Sequence, residues 1–574
     1  MRRLLGLLAA VVALPGAAAA QQPPPSQQAP PSQQARPTEL MPGVTHERQV
    51  QLTSHGPVAI TVITTPAPDG SDGLYALRPV LAGGTLTGPR KRVTQMQKEL
   101  GRSALVVGIS GDSTSALGIP NGIVIADGLY QHGPAAGRSS IGFDAGGAMR
   151  VTRFAFTGTW RGTGQRRPLA AVNHRPKANQ TVLFTPAWGA ATPAVANAAV
   201  VVLQPFPGPK ANTDLEAQVA GTSSGATPIP PDGAVLVSTG TEAAKLAAEA
   251  PEGQTVTTRL VVPTAWSETV AAIGGGPLLV RNGKAVFRTT ELFDAEQLAS
   301  RDARAAVGQR GDGRVLLVTV DGGQPGYSIG MTAYELAVTM VRLGAVTAAG
   351  VEPGRAVTAA FDGRLLNRPS NPTGERAVKE ALLLQYTGVY AAPPATELVG
   401  RHNLSSRQEL SYRLLRASTV SAALVAPDGT EHELDAGLRQ PGTYRFAAPP
   451  LEVEGTWRWR VTATDDESRR SSAERAFSVD FTLSAPRAAG TPRAPSFRFT
   501  LSRPATVALQ IETPRGTAVA RVRGAKLEAG ARSLAWDGTL ATGAKAPPGR
   551  YVARVTATSE VGTMALPTAF ALRR

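Results

Sequence analysis

"RDARAAVGQRGDGRVLLVTVDGGQPGYSIGMTAYELAVTMVRLGA", residues 301–345, holds a strand, a loop and a helix in succession. Val315 to Val320 is an unbroken apolar run closed by Asp321-Gly322-Gly323, the pattern of a buried strand ending in a turn. From Thr332 the period changes. Leu336, Met340 and Leu343 fall on one helical face, Thr332 and Glu335 form a capping box, and Gly344 supplies the stop. Between strand and helix lies Gly-Tyr-Ser-Ile-Gly at 326–330, which fits a nucleophile elbow with Ser328 as nucleophile and Asp362 and His402 as later partners. The loop between Val320 and Ser328 weakens that reading, because an elbow needs an immediate strand-to-helix turn.

Outward from this segment, short strands dominate. "PVAITVITT", "ALVVGIS", "GIVIADG", "QTVLFTP", "GAVLVST" and "GPLLVRNG" are separated by Gly, Pro, Asn and Asp turns, and helices are few. With 574 residues, several domains are expected. Aromatics at 5%, with 60 Gly and 46 Pro, suit a turn-rich, β-leaning chain. The fold class expected is α+β: a mixed α/β domain over 44–390, then two all-β sandwiches at 395–483 and 493–574.

The N-terminus reads as a targeting segment over 1–20. Arg2 and Arg3 precede an apolar stretch from Leu4 to Leu14 and the small residues Ala18-Ala19-Ala20. No apolar run is long enough to cross a bilayer. Export to the periplasm, envelope or medium of a bacterium is the expected destination. "QQPPPSQQAPPSQQARP" then forms a low-complexity tether within the linker 21–43, and order is expected from about Val44. There is no Cys, so no disulfide supports the fold. The six His show no paired metal spacing, so no transition-metal or other cofactor is expected, and Ca²⁺ on scattered carboxylates stays open. The net charge of +16 is dispersed rather than striped, which favours anionic polymers in general over specific nucleic-acid binding.

"GTWRWRVTAT" at 455–464 and "GRYVARVTAT" at 549–558 repeat one strand motif. Trp457, Trp459, Val461 and Ala463 alternate with Arg458, Arg460 and Thr462, a half-buried strand of period two. Two copies argue for two β-sandwich modules. Trp536-Asp537-Gly538, followed by Pro548-Gly549-Arg550-Tyr551, resembles the FlgD-like Ig module. The resemblance implies a structural or adhesive role, with anchoring to the cell envelope as the expected use.

A second set of blocks lies upstream: "IPNGIVIADG", "GRSSIGFDAGGAMRV", "AVNHRPKANQTVLFTPAWGAATP", "AAIGGGPLLVRNGK", the opening segment and "NRPSNPTGERAV". Together they resemble the phosphodiester glycosidase family, that of N-acetylglucosamine-1-phosphodiester α-N-acetylglucosaminidase. The resemblance implies hydrolysis of sugar-1-phosphodiester linkages in envelope or extracellular glycans. It moves Ser328 from nucleophile to a residue introducing and capping the helix. Family members carry Asn-Leu-Asp-Gly-Gly-Gly-Ser where this chain has Gly350, Val351, Glu352, Pro353, Gly354, Arg355 and Ala356. A second motif reads Ser110-Gly111-Asp112-Ser113-Thr114, without the family's Asn and aromatics.

The candidate acids and bases are therefore Asp112, Asp321 and Glu352. Gly111, Gly275, Gly276, Arg304, Gly354 and Arg355 are the candidate substrate contacts. Such a reaction needs a carboxylate for oxocarbenium-like charge or water, and cationic donors for the phosphate. Pro353 removes an N–H and Arg355 fills space a glycine left open, so a glycan binder without turnover remains the alternative. Asp112 and Asp321 each adjoin a Gly and also fit plain turn caps.

Overall fold

The computed structural model describes residues 32–34, 36–67, 73–286, 289–351, 353–400, 408–491 and 494–573. The targeting segment 1–20, His402 and Glu352 lie outside the described residues. Ordered strands begin earlier than Val44: Ser32–Gln34 and Thr38–Met41 both pair with the strand Val44–Thr53.

The expected mixed α/β class is corrected by the structure. About half of the chain is strand and 7% helix. The described α-helices are α1 (Val93–Leu100), α2 (Thr241–Glu249), α3 (Ala295–Ala299) and α4 (Ala333–Arg342). The reason lies in how strands connect. Nearly every pairing is antiparallel, so turns rather than crossover helices join the strands, and sheets cover sheets.

The largest sheet places Gly56–Thr65, Val315–Val320, Arg304–Arg310, Ala345–Gly350 and Leu278–Arg281 side by side. Its central runs are apolar throughout because both faces are covered. Val58, Ile60, Leu316 and Val318 pack beneath Leu336 and Met340 of α4. Ile63, Val315 and Leu317 face the sheet that contains Leu105–Ser110, Ala359–Phe361 and Glu380–Tyr386. As the sequence predicts, Thr332 and Glu335 close a capping box on α4, and Gly344 follows at φ +89°.

A smaller sheet contains Val124–Ala126, Leu129–His132, Ser140–Asp144 and Thr269–Gly274. An eight-stranded sheet around Trp160, Leu236 and Leu260 carries α2. Towards the C-terminus, sheets of three and five strands share a core with Trp457 and Trp459. Sheets of three and four strands share another with Phe497 and Trp536. The two repeated motifs are the strands Gly455–Asp465 and Gly549–Thr558, each alternating buried and outward residues.

Candidate functional site

Non-sequential strands bring distant segments to one end of the largest sheet. Arg304 pairs with Val320, and Ala306 pairs with Gly350. The chain turns from Gly274 through Gly276 into Leu278–Arg281, while the Gly276 N–H donates to the Gly350 carbonyl and the Gly350 N–H donates to the Pro277 carbonyl. Around this convergence lies a cavity of about 260 Å³ whose polar lining includes Ser113, Asn121, Arg138, Gln297 and Arg304. Gly276, Gly350, Val351 and Pro353 supply backbone walls, and Phe293, Leu292 and Leu336 apolar ones. Among the described residues no carboxylate lines it.

Both arginines are held rigidly. Arg138 donates to Ser113 Oγ at 2.8 Å and to Asp112 Oδ1 at 3.2 Å, with its guanidinium 4.9 Å above the Phe293 ring. Arg304 donates through Nε to the Met331 carbonyl and through Nη2 to the Gln297 and Ser300 carbonyls. Among the described residues those bonds leave Nη1 as its untethered nitrogen. Burial lowers the Arg304 pKa, opposed by Asp302 and Glu335. Two fixed guanidinium groups beside one cavity have the donor geometry that matches phosphate oxygens.

Asp112 lies under this cavity rather than in its wall. It is 2% exposed, its backbone N–H donates to Glu380 Oε1, and Oδ1 takes the bonds from Ser113 and Arg138. Among the described residues Oδ2 has no aligned hydrogen-bond partner, and it sits in a notch between the Cα atoms of Gly122 and Gly274. Burial pushes the Asp112 pKa up, opposed first by Arg138.

Asp321 belongs to another microenvironment. Its carboxylate accepts from Tyr327 Oη at 2.8 Å, Asn367 Nδ2 at 2.9 Å and the Arg368 N–H at 3.1 Å. Burial still raises its pKa against those bonds. It does not line the cavity.

Of the other sequence candidates, Gly276 reaches the cavity wall. Gly111 and Gly275 pack behind it, where a side chain would strike Glu380 or the Gly350 carbonyl. Gly354 hydrogen-bonds to the Ala303 carbonyl at 2.7 Å with φ +90°. Arg355 is exposed and does not line the cavity, so it does not plug it. Val351 and Pro353, the sequence neighbours of position 352, both line the cavity.

Ser328 neither caps α4 nor faces solvent, which corrects the capping expectation. It is fully buried, its hydroxyl donates to the Asp321 carbonyl, and it accepts from the Ala59 N–H. It thus spends both roles on fixing the turn after Val320, and Thr332 alone caps the helix. Arg138 is the functional side chain that the sequence reading passed over. It lies within one of the quoted blocks, but only the fold sets it against Asp112.

Residues 210–385 match the family model "Phosphodiester glycosidase", and 474–560 match "FlgD Ig-like domain". The chain therefore carries a phosphodiester glycosidase domain and an Ig-like domain of the FlgD type. The second match begins within the strand Arg470–Val479. The SPbeta prophage-derived uncharacterized protein YomE of Bacillus subtilis is 32% identical over 111 residues, 19% of this chain and 17% of that protein. A hypothetical protein from Synechocystis has a similar structure, at 25% identity and a TM-score of 0.50 over 60% of this chain and 62% of that one. The exported protein BPSS2145 from Burkholderia pseudomallei aligns at 22% identity and a TM-score of 0.44, over 59% of this chain and 76% of that one. This chain spans less than two thirds of the length of YomE or of the Synechocystis protein. Among the described residues no helix is long and apolar enough to cross a membrane.

Proposed function

We propose that the cavity binds a glycosyl-1-phosphodiester, with the phosphate between Arg138 and Arg304 and the sugar against Phe293, Gly276 and Pro353. The observation that carries this reading is the presence of two immobilised guanidinium groups, Arg304 buried and Arg138 half-buried, on one small cavity. At about 260 Å³ it is at the small end of ligand pockets, with room for a single sugar phosphate.

A phosphate leaving group stabilised by two arginines needs little general acid, so the chemical demand falls on activating water and on stabilising the oxocarbenium-like centre. We assign that task to Glu352, supported by the lining positions of its neighbours Val351 and Pro353. Asp112 acts through Arg138, as a positioning residue. Asp321, saturated by hydrogen bonds, holds the 367–368 segment in place. Gly111, Gly275 and Gly354 shape the backbone around the cavity. The targeting segment and the Ig-like modules fit a secreted bacterial protein held at the envelope, acting on its glycans.

One observation favours the alternative of binding without turnover: no described lining residue is a carboxylate. Release of the sugar from an N-acetylglucosamine-1-phosphodiester separates the two. Release by the wild type, lost in Glu352→Gln and Arg138→Ala, supports hydrolysis. Binding of the same compound without release, abolished by Arg138→Ala, supports the binder. Binding unaffected by Arg138→Ala refutes the cavity as the site.

A further inference from the structure

A second, larger concavity of about 700 Å³ adjoins the cavity, lined by His132, Phe154, Phe156, His174, Lys177 and Arg153 among others. One loop serves both. Ala136 and Gly137 face the groove while the next residue, Arg138, faces the cavity. The shared wall is tied on both sides: the Leu292 N–H donates to the Gly137 carbonyl at 3.0 Å, and Arg153 donates to the carbonyl and hydroxyl of Thr290.

The chemistry of the groove differs from that of a closed catalytic pocket. The Phe154 and Phe156 rings are braced from behind by Trp266 and Tyr130, at centroid distances of 4.6 and 5.7 Å. Lys177 is exposed and forms no ion pair among the described residues, and no described carboxylate lines the groove. His132 donates through Nδ1 to the Gly122 carbonyl at 2.7 Å, which leaves Nε2 an acceptor, buried and without a partner among the described residues. The His174 ring stands 6.1 Å away, its Nδ1 tied to the Arg175 carbonyl. Fixed aromatic rings suit the C–H faces of sugars, unpaired cations suit phosphates, and an orphaned imidazole acceptor suits a hydroxyl.

We propose that this groove binds the chain carried on the far side of the phosphodiester, a polyanionic glycan of several phosphate-linked units. The inference rests on the cavity reading above and extends it from a single linkage to a polymer. Lys177 and Arg153 meet the phosphates that follow the scissile one, and Phe154 and Phe156 meet the intervening sugars.

The test compares binding of a single-unit glycosyl-1-phosphodiester with that of an oligomer of four phosphate-linked units, by isothermal titration calorimetry. Wild type, Lys177→Glu, Phe156→Ala and Arg138→Ala are used as full chains, with thermal melting as the folding control. The oligomer is expected to bind the wild type at least tenfold tighter than the single unit. Lys177→Glu and Phe156→Ala should each remove most of that gain while leaving single-unit affinity unchanged. Equal affinity of both ligands for the wild type overturns the groove proposal, as does equal weakening of both by Lys177→Glu. Oligomer binding that survives in Arg138→Ala and falls in Lys177→Glu keeps the groove and refutes the cavity. No binding of either ligand refutes both.

Discussion

Removing the guanidinium of Arg138 should produce a stability defect whose size depends on pH in a calculable way. In the wild type, Asp112 Oδ1 accepts from Arg138 at 3.2 Å, and the side chains are 1% and 12% exposed. Arg138→Ala strands a buried carboxylate, and breaking such a pair costs about 3–5 kcal/mol. The molecule can limit that loss by protonating Asp112. Taking the carboxyl from its ordinary 3.8 to neutral at pH 7 costs at most about 4 kcal/mol, at about 1.4 kcal/mol per pH unit.

The sign follows from the direction of the shift. Burial already raises the Asp112 pKa, and loss of Arg138 raises it further. Stability is then fully present below the unfolded pKa and is lost as pH rises through the folded one. The Arg138→Ala penalty should be largest at pH 7, below that bound because the wild-type carboxyl is itself raised, under about 2 kcal/mol at pH 5 and small near pH 4. Scanning calorimetry of the wild type, Arg138→Ala, Asp112→Asn and the double variant, from pH 4 to 7.5, reads this directly. In the Asp112→Asn background the penalty should lose its pH dependence. A penalty that is flat with pH, or identical in both backgrounds, would refute the pairing as the reason Arg138 is held.

His132 gives a second pH signature. Burial pushes its pKa down to about 4, below the 6.5 of the unfolded chain, so its contribution is intact above pH 6.5 and lost as pH falls towards 4. The total is about 3 kcal/mol, and His132→Gln should flatten that stretch of the stability–pH curve measured by urea titration. Gly274→Ala drives a methyl group into Asp112 Oδ2, and overpacking there should cost about 1–3 kcal/mol and weaken phosphate binding in titration calorimetry. Ser328→Ala leaves the Ala59 N–H without its acceptor and should lower stability by about 1–3 kcal/mol. Sugar release, if present in the wild type, should survive it; complete loss in a folded variant would restore the nucleophile reading.

Much of this protein is written locally. Trp457, Trp459, Val461 and Ala463 are buried and Arg458, Arg460 and Thr462 outward, because a strand's side chains alternate whatever it pairs with. The capping box of Thr332 and Glu335 needs only four consecutive residues, and it forms as read. The turn at Asp127-Gly128, with φ of +53° and +74°, likewise follows from residues that tolerate the left-handed region. Three of the quoted blocks, the opening segment, "AAIGGGPLLVRNGK" and "NRPSNPTGERAV", lie within the matched family region 210–385, so the domain type was legible before the fold.

What the sequence left open depends on strand order. The apolar runs foretold strands, but not that sheets rather than crossover helices would cover them, which is why the mixed α/β expectation failed. Arg138 and Arg304 share a cavity only because Arg304–Arg310 and Ala345–Gly350 lie side by side with Leu278–Arg281 next to them. Asp112 and Asp321 look alike as Asp beside Gly, yet one braces an arginine and the other ties down a loop. Periodicity over a few residues sets which side of an element is buried. Electrostatic partners and cavities arise from segments tens to more than a hundred residues apart, and only packing decides which of them meet.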